Sequence, residues 1–131
     1  MMVDDKINFA VISKQASSLY SLIADGQYRA TTLGRATWKS LIGPAASLQT
    51  GCSREGFNVK QVGNNEQVLA RARIGYIADN NMDCVTPDSR IGFGTGGNHD
   101  TSNSCGNDAP KDWNPDAGEK HIKVMGYILV Q

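Results

Sequence analysis

Residues 79–119 carry eight of the chain's thirteen carboxylates but only two basic residues, Arg90 and Lys111. That stretch is formally −6 and the remainder +6, so the net charge of zero is a cancellation between two regions. It is crowded with Asn, Gly, Ser and Thr and holds three of the four prolines. Such a composition buries too little apolar surface to order itself, yet it lies between two strand-like runs. Hard oxygen ligands on a flexible backbone suit a divalent cation, Ca²⁺ above all.

Two segments have ligand-like spacing. Asp112, Asn114, Asp116 and Glu119 place oxygen side chains at near-alternate positions around Gly118, so that they can curl round one ion. It is not an EF-hand, because the glycine is one residue late and Lys123 stands where a bidentate Glu belongs. An Asx-turn loop, with Asp and Asn satisfying their own backbone, is the competing reading. Asp79, Asn80, Asn81 and Asp83 form a second candidate set on the same reasoning. Trp113 is either a plug pinning its polar loop to the core or a platform on which a sugar ring stacks.

Other chemistry is weaker. The run Gly92-Phe93-Gly94-Thr95-Gly96-Gly97 lacks the following helix and lysine that phosphate cradling requires. Cys84, His99, Cys105 and His121 have zinc-ligand types but no finger or ribbon spacing. Asn98 and His99 fall in a polar loop and are ligand-binding candidates with Trp113 and Tyr127. A small metal-dependent hydrolase using His99, His121 and nearby Asp residues is the enzymatic alternative.

The elements that must position these groups read as helices followed by strands. Ile12, Ala16, Leu19 and Ile23 predict a helix ending at Gly26, although 7–12 reads equally as a short strand. A second helix is expected from Thr31 or Thr32, burying Trp38, Leu41 and Ile42 and stopping at Gly43-Pro44. Strands are expected over 57–62, over 70–77 with arginines on one face, over 90–94 and over 121–130. Gly63-Asn64-Asn65 is turn material. Apolar residues on both faces of the last run predict a central strand. The resulting fold class is α+β: N-terminal helices packed on a mostly antiparallel twisted sheet with long Asp/Asn/Gly-rich loops.

A chain of 131 residues fits one domain that buries roughly two-thirds of its unfolded surface. Residues 1–43 are its mainly helical part and 57–131 its sheet. No apolar run approaches the roughly 20 residues of a membrane span, and the basic residues are scattered rather than clustered as on a nucleic-acid surface. The opening Met1-Met2-Val3-Asp4-Asp5-Lys6 has no secretory-leader pattern, so no signal peptide is expected here. Cys52, Cys84 and Cys105 permit one disulfide in three pairings or three free thiols. Cys84 with Cys105 would close a loop of about 20 residues and add about 3 kcal/mol.

Asp83-Cys84, the glycine-rich run from Arg90 to Gly97, Ser104-Cys105-Gly106 and the closing Gly126-Tyr127-Ile128-Leu129-Val130 together resemble the end of the intelectins. Those lectins are built on a fibrinogen-related fold. The resemblance implies Ca²⁺-dependent binding of glycan diols, with Asn80, Asn81 and Asp83 in the ligand-bearing stretch and Trp113 or Tyr127 as an aromatic wall. It also implies a secreted or surface location. The expected function is therefore non-enzymatic recognition of a glycan or cell-surface ligand, with multivalency through a homo-oligomer or a larger assembly. The alternative is an assembly or surface-fibre tip protein stapled by Ca²⁺ or a disulfide.

Overall fold

Six antiparallel strands follow one another across a single sheet in the order in which the chain makes them, a meander in which every neighbour is a sequence neighbour. They are β3 (Arg29–Ala30), β4 (Gly51–Val59), β5 (Arg71–Asp79), β6 (Ser89–Gly96), β7 (Cys105–Ala109) and β8 (Lys120–Lys123). A separate hairpin joins β1 (Met2–Val3) to β2 (Lys6–Ile7). The computed structural model describes residues 1–63 and 69–131, so the expected turn at Asn64 and Asn65 lies outside the described residues.

The sheet's main core is Phe57, Ile74, Tyr76, Ala78 and Ile91 against Trp38, Leu41, Ile42 and Leu48. Trp38 comes from α2 (Arg35–Ser40), which is seated by a carboxylate on β4 rather than by a side-chain cap of its own. Buried Glu55 accepts from the backbone of Leu33 (3.0 Å) and Gly34 (2.7 Å), from Thr31 Oγ1 (2.6 Å) and from Trp38 Nε1 (2.7 Å). Burial alone raises the pKa of Glu55, but these four bonds hold it below the ordinary range.

The sequence-based fold class is corrected: the protein is mostly β. The helices α1 (Leu19–Ile23) and α2 have five and six residues, and the first third is not a helical layer. Ser18 explains the late start of α1, because its side chain caps Ser21 N at 3.1 Å and forms a reciprocal capping box. Upstream, Lys14 N bonds Ile12 O at 3.0 Å, a tight turn that a helix through Ile12 and Ala16 excludes. Ile12, Leu19 and Ile23 all pack against the core, but only Leu19 and Ile23 do so from a helix, α1, so at Ile12 the apolar stripe reports burial without helical geometry.

The C-terminal run departs too. Only Lys120–Lys123 forms a strand, and it is the edge of the sheet, not its centre. Beyond it one bridge pairs Met125 with Met2, and Tyr127, Ile128, Leu129 and Val130 are exposed. Apolar residues on both faces predict two-sided burial, but the run leaves the sheet after Lys123 and its last apolar residues lie in solvent.

β7 was not foreseen because Gly106, Asn107 and Asp108 have low strand propensity. Asn107 nevertheless lies fully buried: its Oδ1 accepts from Ser47 N (2.8 Å) and its Nδ2 donates to Ser47 O (2.8 Å) and Arg90 O (3.0 Å).

The disulfide is corrected as well. Cys84 bonds Cys52, with Cα atoms 5.1 Å apart, and Cys105 is a half-buried free thiol whose pKa burial pushes up. The register explains the choice: Gly51 pairs with Asp79, which sets Cys52 beside the turn leaving β5, while Cys105 lies across β6 opposite Phe93. No helix among the described residues is long and apolar enough to cross a membrane.

Candidate functional site

The acidic stretch is held largely by the protein's own cations. Arg90, fully buried on β6, points its guanidinium at the loop between β6 and β7. It donates to the carbonyls of Gly97 (3.3 Å), Asn98 (2.7 Å), Asp100 and Asn103 (3.4 Å), and lies 3.4 Å from buried Asp108 Oδ2. Thr95 Oγ1 adds a second bond to Asn103 O (2.5 Å). A planar fork with five donors is suited to gathering several carbonyls that would otherwise be orphaned.

The next loop, between β7 and β8, is tied to residues 47–49. Asp116 Oδ1 accepts from Leu48 N (3.0 Å), and its Oδ2 takes Arg35 (2.9 Å) and Lys39 (2.5 Å) from α2. Burial would raise the Asp116 pKa, but the Lys39, Leu48 and Arg35 bonds lower it. Ser47 Oγ donates to Gly118 O and accepts from Ala117 N. Buried Gln49 donates from Nε2 to Trp113 O at 3.3 Å. Trp113 and Asn114 both adopt left-handed backbone, φ 69° and 57°, which is costly for a bulky side chain. Trp113 is 55% exposed, so it does not plug its loop into the core.

Between the loops stands His121, brought opposite Asp108 by the β7–β8 register. Its Nδ1 lies 2.5 Å from Asp108 Oδ1 and 3.9 Å from Asp100 Oδ2, and its Nε2 lies 3.0 Å from Glu119 Oε1. Both ring nitrogens face carboxylates, so the imidazolium is favoured, and its pKa rises through the bonds to Glu119 and Asp108. Asp100 is lowered, mainly because Ser102 donates to it through both hydroxyl and backbone, with Lys123 3.8 Å away. One ligand atom each from Asp100, Asp108 and His121 lies within 4.8 Å of the others, so the trio can hold a metal ion. A metal there displaces the imidazole proton, because a ligating histidine must be neutral.

His121 opens onto a cleft of about 400 Å³ lined by His99, Pro110, Lys111, Asp112, Trp113 and Glu119. His99 leans on Asp88 at 3.7 Å, a carboxylate whose pKa burial raises. Thus Asp112, Trp113, Glu119 and His99, singled out in the sequence, share one surface. Asp116 and Asn114 share the loop, but Asp116 points at α2 and Leu48. No family of known proteins matches the chain. Neither does any curated protein or solved structure.

The other candidates lie elsewhere. Asp79 is buried and spends its oxygens on Asn80 N (2.7 Å) and on Thr86 N and Oγ1 (3.1 and 3.2 Å). Asp83 caps Val85 N at 3.1 Å, while Asn80 and Asn81 are exposed in the same turn. Tyr127 is exposed in the C-terminal run, its hydroxyl on Met125 Sδ, and does not line the cleft. Asn98 contributes its carbonyl to Arg90. Cys84 is committed to the disulfide and so is no zinc ligand. Sequence reasoning missed Asp100, Asp108 and Arg90. The signal for Asp108 and Arg90 was the strand register, which places Asp108 across from both Arg90 and His121, and Asp100 had none.

Proposed function

We propose that the protein is a non-enzymatic recognition module that binds a polyhydroxylated ligand, a glycan, in the Trp113 cleft. The observation that carries this reading is a half-exposed indole fixed at its backbone by Gln49 and ringed by hydrogen-bonding side chains. An indole offers a flat apolar face, and Asp112, Glu119, His99 and His121 supply donors and acceptors for hydroxyls around it. The Asp100–Asp108–His121 trio is the natural seat for a cation beside the cleft. The Ca²⁺ expected from the sequence prefers six to eight oxygens, whereas one imidazole with two carboxylates suits Zn²⁺ or Mn²⁺ better.

Single-sugar sites are weak, so such a module works through several copies. An exposed apolar set supports self-association: Ile7, Phe9 and Val11 near the N-terminus, with Met125, Tyr127 and Leu129 near the C-terminus. The same set favours a second reading, an assembly protein with no sugar ligand.

Fluorescence titration with a panel of neutral oligosaccharides tests the proposal, since Trp38 is buried and Trp113 is the responsive indole. A saturable change with at least one glycan, abolished by Trp113→Ala, is expected. Melting with EDTA, Ca²⁺, Zn²⁺ and Mn²⁺ in parallel identifies the ion, because free metal at about 100 times its Kd adds about 2.7 kcal/mol. Silence toward every glycan, with concentration-dependent association, selects the assembly reading instead.

A further inference from the structure

A second cleft, sharing no residue with the first, has only basic side chains, Lys60, Arg71 and Arg73, as its charged lining among the described residues. It has a volume of about 390 Å³, and its walls include Gly26, Lys60, Arg71, Arg73, Gly94 and Thr95. We propose that it binds a tetrahedral oxyanion, the sulfate or phosphate-ester group of a ligand.

The cations are arranged by the sheet. Alternation along β5 sends Arg71 and Arg73 to the same exposed face. Arg71 is the register partner of Gly96, and Ala72 and Ile74 pair with Thr95 and Phe93, so Arg73 stands opposite Gly94. A Cβ on Gly94, whose φ is +60°, would come within 2.9 Å of Arg73 Cβ and Cγ, and one on Gly96 within 3.3 Å of Arg71 Nε. The two glycines therefore give the arginine stems a bare floor. Lys60 follows β4 at the same end, where Val59 pairs with Ala72.

Arg73 is aimed as well as placed. Its Nη1 donates to Asn58 Oδ1 (2.8 Å) and Ile23 O (3.1 Å). Buried Asn58 is in turn anchored through Nδ2 to Ile23 O (3.1 Å) and Gln27 O (3.0 Å). None of these partners is an acid. Among the described residues no carboxylate forms an ion pair with Lys60, Arg71 or Arg73. The acid nearest in sequence to the cleft's rim, Asp25, is taken by both Nη atoms of Arg29 at 2.8 Å.

Three cations around one cleft, with no carboxylate partner among the described residues, favour an anion from outside. Arginine forks match sulfate and phosphate geometry, and a third acceptor oxygen, which a carboxylate lacks, meets Lys60.

The test is an amide and arginine-Nε NMR titration of the full chain at constant ionic strength, set by chloride. The probes are inorganic sulfate, inorganic phosphate, a sulfated monosaccharide and a phosphorylated monosaccharide. Saturable shifts are expected at Gly94, Gly96, Arg71 and Arg73, unchanged by Trp113→Ala. Arg71→Gln weakens binding about tenfold, the loss of one charge-assisted hydrogen bond. Lys14→Gln, a charge outside the cleft, leaves binding as it was. Tighter binding of the sugar-borne group than of the free ion assigns the site to a modified carbohydrate, and equal binding assigns it to the ion. Shifts that stay linear and match those with chloride overturn the proposal. So does an Arg71→Gln protein with a native spectrum and the parent's affinity.

Discussion

Replacing Arg90 by Met removes the guanidinium while keeping a stem of similar bulk, and the structure says what is lost. Four loop carbonyls, of Gly97, Asn98, Asp100 and Asn103, lose their shared donor. Buried Asp108 loses its cation at 3.4 Å, retaining His121 and the backbone N–H of Asp100 at 3.3 Å. Breaking a buried pair from one side costs about 3–5 kcal/mol, and the losses overlap because one group makes them all. Against a total stability of about 5–15 kcal/mol that is a large share. With a urea slope of about 2 kcal/mol per molar, the midpoint falls by about 2 M. Arg90→Lys keeps the charge but not the fork, so an intermediate loss is expected and that variant remains measurable if the Met variant does not fold. Urea unfolding followed by circular dichroism is the assay. A midpoint within about 0.3 M of the parent, under 1 kcal/mol, refutes the claim that an internal cation orders this loop.

Two further outcomes follow from the frame. Because Glu55 has a lowered pKa in the folded state, its contribution is complete above the ordinary glutamate range and is lost as pH falls through the folded value. Acidifying from about pH 6 to about pH 3 should therefore destabilise the parent more than Glu55→Gln, and parallel acid profiles would contradict the assignment. Reducing Cys52–Cys84, 32 residues apart, should cost about 4 kcal/mol in urea unfolding on the loop-entropy estimate, whereas Cys105→Ser should leave the midpoint nearly unchanged. Equal effects of the two would place the cross-link elsewhere.

The fold was legible where wet and buried positions alternate, as they do from Arg71 to Ile74, or where apolar residues cluster before a breaker. Alternation in 70–77 foretold β5 and its arginines, and the block ending at Gly43-Pro44 foretold a helix burying Trp38, Leu41 and Ile42. But α2 starts at Arg35 behind Gly34 and not at Thr31 or Thr32, because Thr31 bonds Glu55 instead. What failed had a common cause, because pattern reports burial and not the partner that provides it. Ile12 is a core contact made without a helix, while Leu19 and Ile23 make theirs from the single short helix α1. Asn107 and Asp108 look like loop residues because their polarity is satisfied by Ser47, Arg90 and His121, all distant in sequence.

The site divides along the same line. Trp113, Asp112 and Glu119 stand out together in one polar run, and the fold sets them round one cleft with His99. Asp116 shows the limit, since its ligand-like spacing was visible but its pairing with Arg35 and Lys39, about eighty positions earlier, was not. A disulfide was foreseeable from three cysteines. Its pairing was not, because Cys52 meets Cys84 only through the β4–β5 register.

The anchoring of the β7–β8 loop has a practical corollary. Buried Pro110 closes one end and the Asp116 clamp the other, so the tip from Lys111 to Trp113 is a short span strung between fixed posts. Its side chains face outward and carry little of the framework's stability. Randomising those three positions should leave the scaffold standing, and under the proposed function it would change what the cleft binds, which makes this tip the place to diversify when building new binders on this sheet.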